Sequence, residues 1–78
     1  MTWQQIAPIE ELGPYCYAWG RFIAVARPRD AYFIWSVYFR RADGTFDSLN
    51  GIWSQFCDAP DVADGLTWAE AIIADQTR

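Results

Sequence analysis

The sequence contains no histidine and no lysine, so all six of its basic residues are arginines. Without His the chain lacks the commonest general base near neutral pH. Without Lys there is neither Schiff-base chemistry nor a phosphate loop with its lysine. Glycine-rich nucleotide loops, a nucleophile elbow, a zinc-binding helix and a Cys-x-x-Cys pair are also missing. A non-enzyme without a cofactor is therefore expected.

Cysteine is scarce as well. Cys16 and Cys57 are isolated in sequence, and with no His beside them a metal site is not expected. They read as free, buried thiols, with a disulfide as the alternative. No apolar run approaches the roughly 18–20 residues a membrane span needs. The opening Met-Thr-Trp-Gln-Gln has neither the basic region nor the apolar centre of a signal peptide, so an intracellular location is expected.

What is abundant is aromatic. Five Trp, five Phe and four Tyr make up 18% of 78 residues. A chain this short supports one domain and one modest core. Each large ring buries about 150–250 Å², so a few of them can organise it. Residues 1–78 read as one domain without repeats or linkers.

Local patterns suggest an antiparallel sheet followed by a helix. Thr2 and Gln5 have capping-box spacing, which predicts a short helix or turn from Trp3 to Ala7, limited by Pro8. Ile9 to Leu12 adds a turn before Gly13-Pro14. Tyr15 to Trp19 alternates large and small residues, and Gly20 marks a bulge or bend. Phe22 to Ala26 leads to a corner at Pro28-Arg29. Ala31 to Arg41 is apolar on both alternating faces and should be the central strand. Asp43-Gly44 predicts a two-residue hairpin to a strand at Phe46–Asn50, setting Arg40 opposite Asp47. Centring the earlier turn on Pro28-Arg29 sets Val25 opposite Tyr32 and Phe22 opposite Trp35.

This register sorts the side chains into an apolar core face and a mixed face. Phe22, Ala24, Phe33, Trp35, Val37 and Phe39 make the first. Arg21, Ile23, Val25, Tyr32, Ile34, Tyr38, Arg40, Asp47 and Leu49 make the second, exposed or covered by the leader. Ile52 to Cys57 is readable as a fourth strand or as a helical turn. Residues 58–65 read as a loop, and Thr67-Trp-Ala-Glu70 as a capping box opening a helix to about Gln76, anchored by Trp68 and Ile72. The expected fold is α+β: a three-stranded, or four-stranded, antiparallel sheet with a C-terminal helix on one face and a short N-terminal helical element.

Charge is divided unevenly. Residues 1–41 hold five Arg against Glu10, Glu11 and Asp30, whereas residues 42–77 hold seven carboxylates and no basic residue. Solubility, turn formation and helix-end electrostatics account for isolated carboxylates of this kind. An acidic surface that meets a basic groove on a partner protein is the sharper alternative. Asp43, Asp47, Asp58, Asp61 and Asp64 are its candidate residues. Asp58, Asp61 and Asp64 fall three apart, a spacing that does not fit a calcium-binding EF-hand loop. A second candidate surface is Tyr32, Tyr38 and Arg40 on the mixed sheet face. That face could serve as a protein contact, a homodimer patch or a stacking platform for single-stranded nucleic acid. The net charge of −4 disfavours the last of these.

In size, acidity, aromatic content and expected architecture, the whole chain resembles the small phage-encoded anti-CRISPR proteins. That resemblance implies stoichiometric inhibition in the cytoplasm of a bacterial host. The chain would bind a CRISPR effector subunit at its basic nucleic-acid path and stop target DNA from engaging. Two rivals stand beside it: a nucleic-acid-binding module using the Arg/Tyr face, and a small dimeric structural or assembly protein.

Overall fold

A computed structural model describes residues 2–49, 53–56 and 61–76. Its elements run β1 (Gln4–Ile6), β2 (Tyr15–Trp19), β3 (Phe22–Arg29), β4 (Tyr32–Arg40), β5 (Phe46–Ser48), β6 (Trp53–Phe56) and α1 (Val62–Gln76). Together they form an α+β fold of one antiparallel sheet and a C-terminal helix, with six strands among the described residues in place of the expected three or four. Strands β1 to β5 lie in sequence order, and β6 also pairs with β4. β5 takes positions 38–40 of β4 and β6 takes positions 32–35. The strongest apolar strand is therefore central, with neighbours on both sides. The segment after Gly51 resolves as a strand at Trp53–Phe56.

The N-terminal element corrects the expected helix. Gln4, Gln5 and Ile6 pair with Ala18, Tyr17 and Cys16 as an edge strand. A lone capping pair cannot outweigh a partner strand that satisfies the backbone of the segment. Trp3 reinforces the choice: its ring lies 6.1 Å from that of Trp19, and its Nε1 donates to Glu70 of α1 at 3.3 Å. The turn at Ile9 to Gly13 does form, with Leu12 and Gly13 amides both donating to the Ile9 carbonyl.

Both hairpin registers differ from expectation, with different consequences. Val25 pairs with Ser36 and Phe22 with Phe39, because the turn falls at Asp30-Ala31 and not at Pro28-Arg29. Asp30 adopts φ +35°, a conformation Asp tolerates better than most side chains and one that tight hairpins exploit. The shift of partners is even, so the two faces keep their composition. In the next hairpin Arg40 pairs with Phe46, not with Asp47. The Gly44 amide donates to the Arg41 carbonyl, and Gly44 sits at φ +88°. A three-residue turn with its left-handed glycine replaces the two-residue loop. That slip of one residue turns β5 over. Leu49 joins the helix-side core and Phe46 the opposite cluster, the reverse of the expected arrangement for Leu49 and Asp47.

The helix-side core holds Tyr17, Ala24, Ala26, Phe33, Trp35 and Val37 from the sheet, with Ala69 and Ile73 from α1. The opposite face carries a smaller cluster of Cys16, Ile23 and Val25 under Leu12 from the leader turn. Covering by the leader is what the mixed composition of that face requires. Cys16 is a free, buried thiol whose Sγ donates to the Gly13 carbonyl at 3.3 Å.

The helix starts earlier than expected. Asp61 caps it, with its carbonyl accepting from the Gly65 amide at 3.0 Å and its Oδ1 from the Asp64 amide at 3.2 Å. Thr67, the expected cap, instead donates its hydroxyl to the Ala63 carbonyl one turn back. The buried stripe is Gly65, Ala69 and Ile73, and the expected anchors Trp68 and Ile72 are half-buried beside it. Small residues win the central contact because Trp35, fully buried, fills the space beneath them. A Cβ on Gly65 would clash with Cε2, Cζ2 and Cδ2 of the Trp35 indole.

Gly65→Ala therefore reverses the usual rule for helix interiors. Alanine ordinarily gains about 0.5–1 kcal/mol there, but overpacking against a filled core costs about 1–3 kcal/mol. Urea unfolding should show a net loss of stability. A midpoint equal to or above that of the parent would contradict the packing described.

Candidate functional site

The acidic candidates separate into two places with different chemistry. Asp43 and Asp47 lie in and beside the β4–β5 hairpin, around Arg41. The Asp47 carboxylate accepts from the Arg41 Nε at 2.6 Å and from its Nη2 in a two-pronged ion pair. Asp43 closes its own turn, accepting from the Thr45 amide at 2.9 Å and the Thr45 hydroxyl at 2.6 Å. The Thr45 hydroxyl, then its amide, hold the Asp43 carboxyl below its ordinary value, with help from Arg41. Bonding to Asp47 raises the Arg41 pKa. Arg41 neutralises Asp47, whereas Asp43 keeps its charge with both contacts used to hold its own turn. The expected Arg40–Asp47 pairing is replaced by Arg41–Asp47, a direct consequence of the one-residue slip.

Asp61 and Asp64 sit together at the start of α1. Repulsion from the Asp61 carboxylate raises the Asp64 pKa, with a side-chain hydrogen bond between the two adding to it. Both side chains are exposed. Asp58, expected in the same cluster, lies outside the described residues. From Asp61 to Gln76 the chain carries Asp61, Asp64, Glu70 and Asp75 and no basic residue. Burial of Gly65, Ala69 and Ile73 directs Asp64, Thr67, Ala71 and Asp75 to solvent along one side of the helix. Glu70, half-buried, accepts from Trp3. The outward position of Asp75 follows from the stripe Gly65, Ala69 and Ile73, which differs from the expected anchors Trp68 and Ile72.

The second candidate set occupies alternate positions of β4 on the face opposite α1. Tyr32 and Tyr38 are half-buried and Arg40 is exposed. Tyr38 packs on the leader-side cluster, and its hydroxyl accepts from Arg27 at 3.2 Å. Arg40 lies next to Arg21, whose Nη1 donates to the Arg40 carbonyl at 3.2 Å. Sequence reasoning did not foresee Arg27 as the partner of Tyr38, because the register it used set Val25 opposite Tyr32, not Ser36.

No group of three or more Cys, Asp or Glu side chains among the described residues could hold a metal ion. No helix among them is long and apolar enough to cross a membrane.

Charge removal at the helix start gives a measurable pH effect. A raised Asp64 pKa means that ionisation works against the folded state, and this is relieved as pH falls through the folded value. The lowered Asp43 pKa acts oppositely: its stabilisation is present above the unfolded value and lost as pH falls through the folded one. Asp61→Asn keeps a capping side chain and removes the repulsion. Carboxyl NMR titration should then show the Asp64 midpoint moving down toward its ordinary value while Asp43 stays in place. An unmoved Asp64 midpoint would contradict the assigned cause. The chain matches no protein-family model, no curated protein and no solved structure.

Proposed function

We propose that the protein is a stoichiometric binding protein whose helix α1 docks by its acidic outer side on a basic surface of another protein. The observation that carries this reading is the composition of α1 and its cap: four carboxylates and no cation from Asp61 to Gln76, with the apolar stripe turned to the sheet. A surface of one sign steers encounter with a basic partner and sets the orientation of docking more than it adds to affinity. Asp61, Asp64 and Asp75 carry the contact in this reading. Asp47 drops to the margin because Arg41 neutralises it, and Asp43 because it lies in the β4–β5 turn and not on the helix.

Resemblance to anti-CRISPR proteins gives the partner its class: a CRISPR effector subunit whose basic nucleic-acid path the helix would occupy. A run of carboxylates along a helix offers such a path negative charge in place of phosphates. Loss of target DNA binding would follow from occupancy alone, without turnover.

Titration of purified CRISPR effector complexes, with target DNA binding read by mobility shift, tests the reading. DNA binding should be lost near one chain per effector complex. The triple variant Asp61→Asn, Asp64→Asn, Asp75→Asn should inhibit about tenfold more weakly, a change of about 1.4 kcal/mol, with the difference shrinking at high salt. Circular dichroism would confirm that the variant folds. Equal inhibition by the variant would sink the role of the helix. A chain that leaves every effector active and itself shifts oligonucleotides would overturn the reading in favour of nucleic-acid binding.

A further inference from the structure

The sheet face opposite α1 holds a cation that the acidic-helix reading does not use. Arg27 on β3 is half-buried, and its stem is held in place. Gly13 leaves room for it: a Cβ there would stand 2.7 Å from the Arg27 Cγ and 2.8 Å from a Val25 methyl. At the tip, Nη2 donates to the Ser36 hydroxyl at 3.4 Å and to the Tyr38 hydroxyl at 3.2 Å. Both acceptors are neutral. Where both partners are described residues, the one ion pair joins Arg41 and Asp47, so no carboxylate in this set neutralises Arg27.

We infer that Arg27, Ser36 and Tyr38 form a receptor for a phosphate group. Guanidinium stays charged at any ordinary pH and presents five donors in a planar fork that matches phosphate oxygens. Only one of its nitrogens is engaged here. Each hydroxyl spends a lone pair on Arg27, which leaves its proton to donate to a ligand. Three groups thus converge as donors around one positive charge, and packing against Gly13 pre-pays the ordering of the long side chain. Strand alternation puts Arg29 and Arg40 on the same face, where they add positive potential. β3 and β4 carry no carboxylate. The phosphate could be free or part of a nucleic-acid strand, since the recognising chemistry is the same. The site shares no residue with α1, so its fate is separable from that of the proposed inhibitor activity.

The test follows the Arg27 side-chain Nε–H and the Tyr38 ring by NMR at constant ionic strength balanced with chloride. One arm adds inorganic phosphate and the other a short single-stranded oligodeoxythymidine. Saturable shifts at Arg27 and Tyr38 are expected in at least one arm, with affinity reduced roughly tenfold or more in Arg27→Gln. Tyr38→Phe, which keeps the packed ring, should weaken binding by a smaller factor. Arg27→Lys should fall between the parent and Arg27→Gln, since it retains charge but not the fork. Response to phosphate would identify a free-anion site, and response to the oligonucleotide alone would identify a backbone phosphate. Absence of saturable shifts at Arg27 in both arms would overturn the inference. Undiminished binding by both Arg27→Gln and Tyr38→Phe would also overturn it.

Discussion

The contact between Gly65 and the Trp35 indole decides how the rest of the molecule is arranged. Trp35 occupies the middle of the central strand and is fully buried. Its ring stacks 6.0 Å from Tyr17, extending the aromatic layer across β3 to β2. A helix can lie on so large a side chain only where it has almost none of its own. Gly65 and Ala69 provide that place, and Ile73 continues the stripe. Within the described residues Trp35 Nε1 has no hydrogen-bond partner, so what they offer this ring is packing. With these residues turned inward, helical geometry sends Asp64 and Asp75 outward. The acidic surface is thus a by-product of how the core is filled.

A sheet covered on both sides by different elements also separates charge. The helix brings carboxylates over one face. The other face keeps Arg27, Arg29 and Arg40 beside the apolar cluster that Leu12 covers. Net charge alone hides this arrangement. A value of −4 argues against binding a polyanion when averaged over the molecule, yet it says little about a single guanidinium set between two hydroxyls.

Strong periodicity made much of the sheet legible in the sequence. An apolar run such as Tyr32 to Phe39 can satisfy both of its faces only in the centre of a sheet, and its role follows without tertiary information. The face composition of β3 and β4 also survived a misplaced turn, since an even shift in pairing preserves side-chain direction. Other features depend on contacts no local window contains. β1 is a strand because β2 is there to receive it. Asp43-Gly44 fits either of two turns, and the choice of the longer one moved Asp47 from a cross-strand charge pair to an ion pair with Arg41. Gly65 looked like a loop residue, the ordinary meaning of Gly beside Asp and Pro. Its real reason for being glycine is the tryptophan thirty positions earlier in the chain. Of the candidate sites, the acidity of the second half was visible, but which carboxylates the fold turns outward was not. The answer depends on the helix start and on Arg41.

The most direct measurement of this account is proton NMR of the Gly65 α-protons. Seated on the Trp35 ring, they should show cross-relaxation to the indole protons and an upfield displacement from the ring current. Ordinary chemical shifts with no cross-peak to Trp35 would mean that α1 packs by another face. The outward acidic side and the function assigned to it would fall together.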